Sequence, residues 1–197
     1  MSSQKMSPSS HRVKWLKSDL RRVEASVWNK WFGLIPTLRD KFVEHIDDDP
    51  LLYNETSSCG LLASSANHAG LLAMNEYIST KRGPGRGRPR RWGRCDLWVY
   101  DPKTLRSWSF EIKQKFCLHA HRQDYVRRLL DEACFDAKCV RPQEADKRYG
   151  GVIISGPAGL ALSRDNEANI VRAAQSATFA CRIEGGKAPV WFLLREV

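Results

Sequence analysis

Cys95 to Lys113 read CDLWVYDPKTLRSWSFEIK, and this stretch decides the fold. Cys95 to Tyr100 is a compact apolar strand. Asp101-Pro102-Lys103-Thr104 is a turn, with proline where its fixed φ helps. From Leu105 to Lys113 the chain alternates: Trp108, Phe110 and Ile112 belong to one face, and Ser107, Ser109, Glu111 and Lys113 to the other. A hairpin turning near Lys103 or Thr104 sets Asp96 opposite or diagonal to Glu111, close enough to share an ion. Lys113 projects from the same face as Glu111. Two carboxylates and an ammonium thus converge on an apolar sheet.

Working outward, Asn54-Glu55-Thr56-Ser57 offers capping side chains for a helix carrying Leu61, Leu62, Ala66 and Ala69 and stopping at Gly70. Residues 71–79 could continue the helix or form a strand, and the Gly70 stop favours the strand. On the C-terminal side a helix is expected over 121–138, a buried strand over 151–155, a helix over 163–178 and a final strand over 189–194. Upstream, Leu16, Leu20, Val23, Val27 and Trp31 recur at helical steps. Pro36 interrupts, and a second short helix carries Leu38, Phe42 and Ile46. Asp47-Asp48-Asp49 before Pro50 reads as a solvated loop. The expected organisation is a polar tail over 1–10, a helical extension over 11–50 and an α/β domain over 51–197.

The net charge is +10 and the pI about 9.5, which suggests a polyanionic partner. Residues 81–94, KRGPGRGRPRRWGR, hold seven Lys or Arg and no acid. Their glycines and prolines read as a basic loop rather than a regular element. The six cysteines form no Cys-x-x-Cys pair, which argues against a structural zinc site and for small buried thiols in a reducing compartment. No apolar run approaches bilayer length, and Met1 to Ser10 lacks the apolar stretch of a signal peptide, so a cytoplasmic location is expected.

Phosphodiester cleavage needs charge neutralised on the phosphate and an activated water. Mg²⁺ serves both needs and prefers one or two carboxylates plus water and phosphate oxygens. A nearby lysine steadies the water and the developing charge. The pattern Asp96-x14-Glu111-Ile112-Lys113, with its flanking helices, resembles the PD-(D/E)XK, or restriction-endonuclease-like, nuclease superfamily over about residues 54–156. Cys95-Asp96 stands where the family pattern has Pro-Asp. The resemblance implies an α-β-β-β-α-β core with a mixed central sheet. It also implies Mg²⁺ (with Mn²⁺ able to substitute) held by Asp96 and Glu111, and Lys113 as the catalytic lysine. An added acid from the first helix is expected in many members. On one unbroken helix Glu55 and Glu76 would lie about 30 Å apart, too far to serve one metal, and Glu55 is preferred because a helix ending at Gly70 leaves Glu76 on a strand.

Gly85-Arg86-Gly87-Arg88-Pro89-Arg90 resembles the AT-hook, which lays arginines into the narrow minor groove of A·T-rich DNA. The alternative is a basic loop that grips any phosphate backbone. Candidate nucleic-acid contacts are Arg86, Arg88, Arg90, Arg91, Arg94, Gln114 and Lys115. Trp92 is a candidate for stacking on a base; His119 and His121 read as capping or surface residues, with phosphate contact the alternative. The expectation is therefore a Mg²⁺-dependent DNA endonuclease, with a homodimer left open by the resemblance. The rival readings are a non-catalytic DNA-binding protein of the same fold and an interaction subunit of a larger nucleic-acid-processing complex.

Overall fold

The structure is a computed structural model that describes residues 12–82, 89–117, 124–157 and 160–197. Seven strands form one mixed sheet: β1 (Val13–Ser18), β2 (Leu72–Arg82), β3 (Arg90–Asp101), β4 (Arg106–Phe116), β5 (Lys147–Ser155), β6 (Phe179–Ile183) and β7 (Val190–Glu196). Their order across the sheet is β1-β6-β7-β5-β4-β3-β2. Four helices flank it: α1 (Arg22–Ile46), α2 (Glu55–His68), α3 (Tyr125–Cys139) and α4 (Arg164–Ala174). β4 and β5 run parallel and are joined through α3; the other strand pairs are antiparallel. From α2 to β5 the elements run α-β-β-β-α-β.

The period of two in the central strands sorts the core into two layers. Ile153, Phe192 and Leu194 join Trp28, Trp31, Leu61 and Leu62 of α1 and α2. Val152, Ile154, Trp191 and Leu193 join Val126, Leu130, Ile170 and Ala174 of α3 and α4. α2 starts as its cap predicts, with the Asn54 side chain accepting from Ser57 N at 2.8 Å. It is followed by Gly70 at φ 87°, a conformation that favours glycine. No helix among the described residues is long and apolar enough to cross a membrane.

The N-terminal reading needs correction. Val13–Ser18 is not helical but an edge strand paired with β6. Trp15 packs on Phe32 and Phe179, whereas Leu16 joins the opposite core layer. Consecutive residues facing opposite layers is strand geometry, which a three- and four-residue count over so short a segment does not exclude. Pro36 does not divide the following helix either; it sits inside α1. A mid-helix proline costs roughly 3 kcal/mol. Burial of Trp28, Trp31, Phe32 and Ile35, each at most 1% exposed, offsets that cost. Residues 13–46 therefore share the sheet and core of the rest of the chain instead of forming a separate extension. β6 was not anticipated, because a strand buried on both faces shows no polar alternation. The basic segment is likewise shorter as a loop than expected: residues 81–82 and 90–94 continue the β2–β3 ladder.

Asp49 is not solvated. It is fully buried with Arg39, whose Nε and Nη2 lie 3.1 and 2.6 Å from its two oxygens. Asp49 also accepts from the amides of Leu51 and Lys187, and Arg39 donates to the carbonyl of Ala188. The pair ties α1 to the β6–β7 connection. Asp49→Ala leaves the guanidinium buried and unpaired, and a loss of about 3–5 kcal/mol is expected in urea unfolding. A loss below about 1 kcal/mol would show the pair to be replaceable by water.

Candidate active site

The β3–β4 ladder runs from Asp101↔Arg106 to Leu97↔Phe110. One step further would set Asp96 against Glu111, the register anticipated from the turn. At that step the ladder ends. The Ile112 N–H donates to Asp96 Oδ2 at 2.6 Å. Beyond it β3 pairs with β2 and β4 pairs with β5. Asp96 thus sits in a fork where the two strands part. Burial raises its pKa, opposed by the Ile112 amide and by the charges of Lys81 and Lys113.

Glu111 is 3% exposed. Lys81 Nζ, reaching over from β2, lies 2.7 and 2.8 Å from its two oxygens. Gly93, opposite Ser79, makes room for that reach: a Cβ there would meet Lys81 Cδ at 3.0 Å. Burial, and then the charge of Asp96, push the Glu111 carboxyl up to about 7 despite the lysine. The Oε1 atom is buried with no aligned hydrogen-bond donor among the described residues, the lysine contact being an ion pair.

Lys113 Nζ lies 2.7 Å from Asp136 Oδ2 of α3. Burial alone would lower its pKa; the Asp136 hydrogen bond and charge, with Glu55 and Asp96, raise it instead. α3 reaches this position because β5 presents Gly150, where a Cβ would lie 2.3 Å from the Cys134 nitrogen. Glu55 opens α2 as expected, and its Oε2 accepts from Gln114 N at 3.3 Å. Burial and then the charge of Asp96 raise its pKa. Glu76, at φ 52°, lies on β2, with Oε2 3.4 Å from Arg94 Nη1. Its charge is felt by both Glu55 and Asp96.

The anticipated residues Asp96, Glu111, Lys113 and Glu55 therefore form one electrostatic neighbourhood. They do not all form one ligand cluster: no three His, Cys, Asp or Glu among the described residues are gathered to hold a metal. Gln114, expected as a nucleic-acid contact, is engaged within the protein. Its Oε1 accepts from Ser58 Oγ at 2.7 Å and its Nε2 donates to Leu51 O at 3.0 Å. Lys115 and Arg94 are exposed, and Trp92 is 82% exposed. Arg86, Arg88, His119 and His121 lie outside the described residues, as do the side chains of Arg90 and Arg91.

Lys81 and Asp136 were missed as site residues. Lys81 belongs to no motif, and only the unknown length of the hairpin would have placed it. Asp136 offered a weak signal: it lies beside the inward-facing Ala133 and Ala137 of α3. The carboxylate oxygens of Asp96 and Glu111 are the donor type a hard divalent cation takes, and the buried Glu111 oxygens already attract one cation, the Lys81 ammonium at 2.7 Å from Oε1. Comparison with known proteins adds no identity: no family model, curated protein or solved structure matches the chain.

The raised Glu111 pKa bears on stability. Protonation is easier in the folded chain than in the unfolded one, so the contribution of Glu111 is full below pH 4.5 and is lost as pH rises through about 7. Glu111→Gln removes that loss, worth up to ~3 kcal/mol. In thermal melts the variant is expected to exceed wild type by several °C at pH 8 and to match it at pH 4.5. Equal melting temperatures at both pH values would contradict a strained carboxylate.

Proposed function

We propose that this chain is a divalent-cation-dependent DNA endonuclease of restriction-endonuclease-like type. The observation that carries this reading is the fork itself. It gathers Asp96 and Glu111 where two strands part, with Lys113 one strand period beyond Glu111. The α-β-β-β-α-β order from α2 to β5 supports it, as does the net charge of +10.

Asp96 and Glu111 would hold Mg²⁺ or Mn²⁺. The bound cation supplies charge neutralisation on the phosphate and a more acidic water. Glu55, close enough to Asp96 to feel its charge, acts through water. The Lys113 ammonium orients the attacking water and faces the charge that builds on the phosphate, while Asp136 fixes its position. Lys81 keeps the Glu111 charge balanced until a cation is present, and its ammonium must then withdraw. Arg94 and Lys115, both exposed, grip the backbone, and Trp92 offers an exposed ring to a base.

One observation favours a second reading, a DNA-binding protein without turnover: Glu111 and Lys113 already have partners in Lys81 and Asp136. Cleavage of supercoiled plasmid with Mg²⁺, Mn²⁺ or EDTA separates the two. Cation-dependent nicking is expected, with Asp96→Asn and Lys113→Ala each lowering the rate about 100-fold or more while binding of the duplex persists. Binding without nicking under any cation would select the second reading.

The competition at Glu111 has its own readout. Lys81→Met removes a cation that any metal must displace. Mn²⁺ binding by calorimetry is expected to tighten about tenfold. Unchanged or weaker Mn²⁺ binding would mean that Lys81 supports the site rather than guarding it.

A further inference from the structure

The end of α3 meets β2 at Lys81, and a second feature lies at that junction. Lys81 bridges to Val140, and the Arg141 N–H donates to Thr80 O at 3.1 Å, so β2 and the end of α3 are fastened together. Beside this seam lies a polar cavity of about 360 Å³ lined by Thr80, Lys138, Cys139, Arg141, Gln143 and Arg148.

Three of these residues are cationic, and none has a carboxylate within ion-pairing distance among the described residues. Glu144, on the following turn, points its Oε1 at Thr80 N instead. Carbonyls at a helix C-terminus would repel an anion. Here Arg148 Nη1 occupies two of them, donating to Lys138 O at 3.3 Å and to Val140 O at 2.8 Å. Arg141 is steered by its Nε hydrogen bond to Gln143 Oε1 at 3.0 Å. Lys138 and Arg141 are exposed. Uncompensated cations converging on a polar cavity raise the local concentration of anions. The Cys139 thiol at the cavity wall senses the charges of Asp136, Lys81 and Glu111, which places the cavity beside the candidate active site.

We propose that this cavity seats a backbone phosphate of the DNA strand whose neighbouring phosphodiester lies at Asp96 and Glu111, with Lys138 and Arg141 as the contacting groups. The inference rests on the nuclease reading and adds where the strand leaves the site. Arg148 acts by holding the carbonyls away from the anion.

The test is binding of a fluorescein-labelled duplex in EDTA, where cleavage plays no part, followed by anisotropy across a series of KCl concentrations. The Lys138→Ala, Arg141→Ala double variant removes two exposed side chains, and an unchanged melting temperature checks its fold. Loss of two phosphate contacts is expected to flatten the dependence of log K on log salt by about 2 and to weaken binding roughly tenfold or more at low salt. Cys139, the one cysteine that is not buried, supplies a local readout: duplex is expected to slow its alkylation by a maleimide. An unchanged salt slope, or alkylation equally fast with and without duplex, overturns the cavity while leaving the nuclease reading intact. Absence of any salt-sensitive binding by wild type overturns both.

Discussion

At Ile112 a main-chain amide that would ordinarily complete a strand ladder is given instead to the carboxylate of Asp96. A buried amide cannot be left unpaired without a cost of about 1–3 kcal/mol, so Asp96 is held in place by the needs of the sheet as well as by any chemistry. The substitution lets β3 and β4 separate without stranding backbone groups. Glu111, Lys113 and Glu55 are arranged around the opening this creates. Asp96 is at once the last rung of one ladder and the centre of the site.

The surroundings of that fork are set by how closely the backbones approach. β5 is the parallel neighbour of β4, and Gly150 lies beside Glu111. With no side chain there, α3 lies directly on the strand and delivers Asp136 to Lys113. On the other side, Gly93 lets the Lys81 stem cross the hairpin toward Glu111. Glu55, Asp96 and Glu111, the three carboxylates that burial drives toward protonation, feel the charges of two lysines, Lys81 and Lys113. One of these has a helix acid for a partner and the other has Glu111 itself.

Much of this was legible in the linear sequence because it rests on short-range signals. The turn at Asp101 to Thr104 gave the correct register of β3 against β4, and Asn54 and Gly70 bracketed α2. What escaped depended on long-range contacts. β1 exists as a strand because β6 offers it an edge, and β6 itself lies between β1 and β7, which neither segment announces alone. Asp49 is buried because Arg39, ten residues earlier, turns back to meet it. Lys81 reaches Glu111 across a separation of thirty positions in the chain. In each case the decisive partner lies in another element, and the local composition pointed elsewhere: a helical period, an acidic run before a proline, a cationic loop.

The contact at Gly150 has a further consequence. Helices that rest on strands through side chains can settle nearer or farther as those side chains change size. α3 rests here on main chain, so its height above the sheet is fixed by atoms that no substitution can shrink. At this contact, substitution can change only what projects from the two backbones. Where α3 meets β5 at Gly150 its approach is set by main chain, and residue 136 is the position through which its reach toward Lys113 can change.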